Sequence, residues 1–141
     1  MENPNIKTLG QDLYKAHVLT RNTLSKELKD FNITVEQWNV IKHLSEREGC
    51  NQKDLAKRCL KDRAALTRIL DILEKKDIIK RESSPNDRRE FLIFLTSIGK
   101  KTFSDISPIM NVTASKNFNN FTFDEIHNLK FLLDKLISNL D

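Results

Sequence analysis

Two groups of residues in the middle of the chain have the types and spacing for chemistry on a polyanion. The first is Arg63, Ala64, Thr67, Arg68 and Asp71, whose spacing places them on one face of any helix over this stretch. Guanidinium groups beside a hydroxyl and a small Ala suit a DNA major groove, where Arg pairs with guanine or phosphate and Ala adds little bulk. The second is Asp87-Arg88-Arg89, which follows the turn-forming run Ser83-Ser84-Pro85-Asn86. Asp87 stands two residues before Arg89, close enough to orient its guanidinium, and an Arg so held suits a narrow minor groove. Each group also has a plainer reading, because many surface helices carry Arg and Thr and a solvated hairpin tip often holds an incidental ion pair.

Positioning these residues requires helices and one hairpin. Asp62 caps a helix whose buried stripe is Leu66, Ile69, Leu70 and Leu73, which puts the Arg and Thr face outward. Asn51 caps a shorter helix from Gln52 to about Leu60, with Leu55 and Ala56 inward and Lys53, Lys57 and Arg58 outward. Before it, Thr34 and Gln37 form a capping box and Ile33 and Trp38 a hydrophobic staple, opening a helix that Gly49 stops. Residues Ile78 to Glu82 and Glu90 to Leu95 read as strands on either side of the polar turn.

The ends of the chain are helical. From Ile6 to Phe31 apolar residues fall mostly at three- and four-residue steps. Thr96 caps a fifth helix in which Pro108 predicts a kink or break. Thr122 and Glu125 form a second capping box, and the apolar residues from Ile126 to Leu140 cover more than one face, as in an oligomer interface. The fold class is mainly α with a small β-hairpin, in the order α-α-α-α-β-β-α-α, which fits a winged helix-turn-helix flanked by helices from both ends.

Bulk properties agree with this order. The 141 residues are enough for one domain with a core, and the net charge is +4. The excess lies entirely in residues 51–90, which carry 12 Lys and Arg against 8 Asp and Glu. A local basic surface is what a phosphate backbone selects, although a solvated charged face is the alternative. The start of the chain lacks a basic segment followed by an apolar one, and the longest apolar run, Phe91 to Leu95, is far short of the roughly 20 residues of a membrane-spanning helix. A cytoplasmic protein is expected.

Little supports an enzyme. Gly10, Gly49 and Gly99 are isolated, and His17, His43 and His127 are scattered with no metal-ligand spacing, so no cofactor and no metal is expected. A composite site between His17 and His43 stays open. Of the two cysteines, Cys59 is expected to pack as a small apolar residue and Cys50 to lie exposed in a turn.

The chain resembles the MarR family of bacterial transcription regulators. Asp87-Arg88-Arg89, five residues and Leu95-Thr96 resemble its wing signature. Leu66-Thr67-Arg68 and Leu73-Glu74-Lys75-Lys76 are similar to its recognition helix, and Gln52-Lys53-Asp54-Leu55-Ala56 to the helix before it. The resemblance implies a single domain over residues 1–141, with a DNA-binding lobe at 33–96 and dimerisation helices at 5–31 and 97–140. It implies a homodimer on a pseudo-palindromic double-stranded operator, usually as a repressor released by a small-molecule effector. Lys53, Arg63, Ala64, Thr67, Arg68, Asp87, Arg88 and Arg89 are then the DNA-binding residues, and Tyr14, His17, Trp38 and His43 the effector-pocket candidates. Asp77 stands where the family usually has Gly, Pro108 is unusual, and no Cys precedes Cys50, which argues against the family's peroxide-sensing branch. The other reading is a winged-helix module that binds a protein partner; a steep fall of binding with salt distinguishes DNA from it.

Overall fold

The computed structural model describes residues 2–141. Helix α1 (Ile6–Leu28) passes into a single 3-10 turn, Lys29–Phe31, and stops at Asn32 in the left-handed conformation, φ 55°. There the Asn32 N–H donates to the Lys29 carbonyl and the Ile33 N–H to the Leu28 carbonyl, while Leu28 and Ile33 are both buried. This closure satisfies carbonyls that a helix end otherwise leaves unpaired, and its apolar contact turns the chain inward.

Helix α2 (Val35–Glu46) begins with the expected reciprocal capping box between Thr34 and Gln37. It ends before Gly49, the residue its sequence suggests as the stop. Gly49, at φ 72°, instead bends the chain into a short strand β1 (Cys50–Asn51), and its N–H donates to Ile93 O at 2.9 Å. Helices α3 (Gln52–Arg58) and α4 (Arg63–Lys75) follow, capped by Asn51 and Asp62 as their sequences specify. Both end in the closure seen at Asn32, with Leu60 at φ 54° and Asp77 at φ 58° in the left-handed position. Asp at that position does the work usually left to glycine.

Strands β2 (Ile79–Ser83) and β3 (Phe91–Leu95) form the hairpin, each starting one residue later than its sequence suggests. The sheet has three strands in the order β1-β3-β2, all antiparallel, with Cys50 opposite Ile93 and Arg81 also opposite Ile93 on the other side. Cys50 is therefore buried in strand pairing, not exposed in a turn.

Helix α5 (Ser97–Lys116) corrects the expectation of a break, because it runs unbroken through Pro108. Pro108 and Ser104, whose carbonyl loses its donor, both reach the surface, so water can satisfy that carbonyl while Ile106 and Met110 hold the opposite face in the core. Trp38 of α2 stacks on Phe103 of α5 with ring centroids 5.6 Å apart. Helix α6 (Phe123–Leu140) opens with the Thr122–Glu125 capping box and has no buried residue. The core lies elsewhere, among Leu28, Ile41, Leu44, Leu55, Leu66, Leu70, Leu73, Ile79, Ile93 and Ile106. Together these elements make a winged helix-turn-helix flanked by helices from both ends of the chain. Among the described residues no helix is long and apolar enough to cross a membrane.

Candidate nucleic-acid interface

The first turns of α3 and α4 meet the wing at a cleft of about 250 Å3, lined by Lys53, Arg63, Asp87 and Arg89 together with Asn51, Gln52, Glu90 and Phe91. Four residues chosen on sequence grounds, up to 36 positions apart in the chain, thus converge. Arg63, Ala64 and Arg68 are exposed along α4, while Thr67 between them is half-buried. Arg88 is exposed at the wing tip and does not line the cleft.

The wing tip is shaped by its own hydrogen bonds. Ser84 is buried: its N–H donates to Glu90 O at 2.9 Å and its hydroxyl oxygen accepts from Asn86 N at 3.3 Å. Asp87 Oδ1 accepts from the main-chain N–H of Arg89 at 2.9 Å. This corrects the expectation that Asp87 orients the Arg89 guanidinium, since what it fixes is the backbone from which that side chain departs.

Two residues that sequence reasoning did not single out tie these parts together. Arg81 lies two residues beyond the buried Ile79 on β2, and its guanidinium reaches Asp71 at 2.9 Å and Glu74 at 3.2 Å on α4. The signal was a cation two residues after a buried strand residue, facing carboxylates three apart on one helix. Gln52 donates from its carboxamide to the Thr67 hydroxyl, which donates in turn to Arg63 O at 2.8 Å. Its only signal was its place just after the Asn51 cap.

The effector-pocket candidates do not come together. His17 lines a cavity of about 420 Å3 between α1, the start of α2 and the α3–α4 turn, with Arg21, Glu36 and Lys61. Trp38 lines another, of about 320 Å3, with Lys42, Phe103 and Asn111. Tyr14 is exposed and lines neither, and His43 lines neither because it faces α3. In the larger cavity the Arg21 guanidinium hydrogen-bonds Glu36 and holds its carboxyl below the usual value against the opposing effect of burial.

Around His43 the electrostatics are unfavourable to added charge. Burial, and then the neighbouring Arg58, push its pKa down, while Glu46 at 3.8 Å acts the other way. Burial raises the Cys50 thiol and pushes Cys59 up to about 11, so neither has the thiolate character of a reactive cysteine. Among the described residues no group of three or more His, Cys, Asp or Glu side chains is placed to hold a metal ion.

Residues 33–91 match the model of the MarR family, and the chain superimposes on a mutant MarR from E. coli complexed with operator DNA. In that comparison the TM-score is 0.87 and the identity 28%, over 94% of this chain and 95% of the other. A MarR family domain occupies residues 33–91. The match runs from the start of α2 to the first residue of β3, and the structural likeness extends it over α1, α5 and α6. AbsC, a MarR family transcriptional regulator from Streptomyces coelicolor, has the same fold with a TM-score of 0.89, at 21% identity over 99% of this chain and 97% of AbsC. Bordetella bronchiseptica BpsR, studied for regulation of its DNA binding by 6-hydroxynicotinic acid, shares that fold with a TM-score of 0.85, at 22% identity over 92% of this chain and 98% of BpsR. Within the matched residues, Asp87 and Arg89 of the wing and Arg63 at the start of α4 line one cleft.

Proposed function

We propose that this chain is a homodimeric transcription repressor that binds a pseudo-palindromic operator and is released by a small-molecule effector. The observation that carries the reading is the cleft where Lys53, Arg63 and Arg89 meet beside the exposed face of α4. Helix α4 enters the major groove with Arg63, Ala64, Thr67 and Arg68. Arg89 reaches the adjacent minor groove from a backbone held by Asp87, and Lys53 and Arg88 meet phosphate. Residues 33–96 form the DNA-binding lobe, and residues 5–31 and 97–140 the dimerisation helices.

Two copies must set their α4 helices about 34–36 Å apart to read successive half-sites. The cavities holding His17 and Trp38 both border α1 where it meets the lobe. A ligand there shifts the population toward one separation of the recognition helices, in proportion to its differential affinity for the two arrangements.

Footprinting on the DNA flanking the protein's own gene tests the reading. We expect two protected half-sites, binding that falls steeply as salt rises, and a loss of about 1–3 kcal/mol in specific affinity for Arg89→Ala. Absence of any protected region refutes the reading. A flat salt response favours a protein partner instead.

A further inference from the structure

Thr67 lies in the middle of the proposed reading face, yet its hydroxyl is already engaged. Its proton goes to the Arg63 carbonyl at 2.8 Å, and its oxygen receives the Gln52 carboxamide. A hydroxyl has one proton, so the Gln52 atom facing it must be the Nε2 donor, not Oε1. That fixes the orientation of the carboxamide. Oε1 and the second Nε2 proton are left without a protein partner among the described residues, and Gln52 lines the cleft between Lys53 and Arg63.

We propose that Gln52, held by Thr67, is a specificity-determining residue that reads an adenine in the major groove. The inference rests on the reading of the cleft as a DNA interface. A glutamine amide matches the adenine edge, accepting from N6 and donating to N7. Lys53, Arg63 and Arg89 attract phosphate or guanine, so the neutral donor–acceptor pair adds discrimination that the cations do not. Anchoring one amide proton on Thr67 restrains the side chain before DNA arrives, which reduces the conformational entropy lost on binding. Thr67 thereby becomes a positioning residue, its hydroxyl committed to Gln52 and to the Arg63 carbonyl.

The test is selection from a library of random duplex DNA by the full chain, followed by affinity measurements on the selected site and on single-base variants. Gln52→Ala and Gln52→Met are compared with Thr67→Val and the double variant Gln52→Met/Thr67→Val, each checked for folding by its thermal melt. The wild type should prefer adenine at one position in each half-site by about 10- to 100-fold. Both Gln52 variants should lose that preference alone, and their binding should keep the wild-type salt slope because no counterion-releasing charge is removed. Thr67→Val should weaken the same preference, and the double variant should be no worse than Gln52→Met.

Unchanged base preference in both Gln52 variants overturns the assignment while leaving the DNA reading intact. So does a Thr67→Val effect at a different position that adds to the Gln52 effect. A wild-type chain that selects no sequence overturns the DNA reading and this assignment with it. Should Gln52→Ala melt early, Gln52→Met decides, because it retains the length and bulk of the side chain.

Discussion

At the scale of single residues, His43 sits where burial and charge both oppose its protonation. Its Nδ1 is buried without a hydrogen bond, as is Nη1 of Arg58, and the Arg58 Nη2 donates to the His43 carbonyl at 3.0 Å. Because the folded pKa lies below the ordinary value of 6.5, the unfolded chain takes up this proton first as pH falls. The stability tied to a neutral His43 is therefore complete above about pH 6.5 and is lost as pH falls through the lower folded pKa. Thermal melts taken from about pH 7.5 to 5 should show the midpoint falling with acidity, and His43→Gln should remove part of that slope. An identical slope in the variant rules out His43 as its source. The cleft beside the wing shows which of its residues could be read from sequence. Arg63 and Arg89, which line the cleft, could be picked out because their types and short spacings are local. The role of Asp87 could not, since its partner is a main-chain N–H, and neither could Gln52, whose partner lies 15 positions away on another helix.

At the scale of elements, the caps decide where most helices begin. Thr34, Asn51, Asp62, Thr96 and Thr122 each accept from an N–H three residues on, a pairing confined to four residues and therefore visible in sequence. Strand β1 was missed because two residues carry no alternation and its pairing to β3 is long-range. Two positions make the element junctions testable. Leu60 holds a left-handed conformation while its side chain is 91% exposed, so it bears the conformational cost with little burial in return. Leu60→Gly should stabilise the chain by about 1 kcal/mol. Gly99 is the opposite case. A Cβ there would lie 2.1 Å from the Ile78 carbonyl oxygen, which also accepts from Thr96 N at 3.0 Å and fixes the start of α5 on the α4–β2 corner. Gly99→Ala should destabilise by about 1–3 kcal/mol, because backbone must move to make room. Urea unfolding checks both, and the account fails if the two substitutions shift the midpoint in the same direction.

At the scale of the whole molecule, the unpartnered surface is concentrated on the terminal helices. The 18 residues of α6 include none that is buried, with Phe131 at 59% and Ile137 at 56% exposure, and α1 adds Ile6 at 65% and Leu9 at 51%. Helices this apolar do not stay in water when a second copy offers the same surface, and a two-fold pairing lets one patch serve both chains. The core draws mostly on residues 33–96, with Leu28, Ile106 and Met110 from α1 and α5 and nothing from α6, so pairing through α6 and folding are separable in part. Leu129→Glu with Leu136→Glu should leave the lobe folded, shift the chain from dimer to monomer in sedimentation, and make its melting midpoint independent of concentration, whereas the wild-type midpoint rises with concentration. Binding to a two-half-site operator should fall far more than binding to random duplex. The reason is that the second half-site is engaged at the high effective concentration set by the first, an advantage that vanishes when the copies are unlinked. Two results sink this account: a wild type that is monomeric at micromolar concentration, or a monomeric variant that keeps full operator affinity. Either means that Arg89 and the α4 face act without the spacing that α1, α5 and α6 are proposed to set.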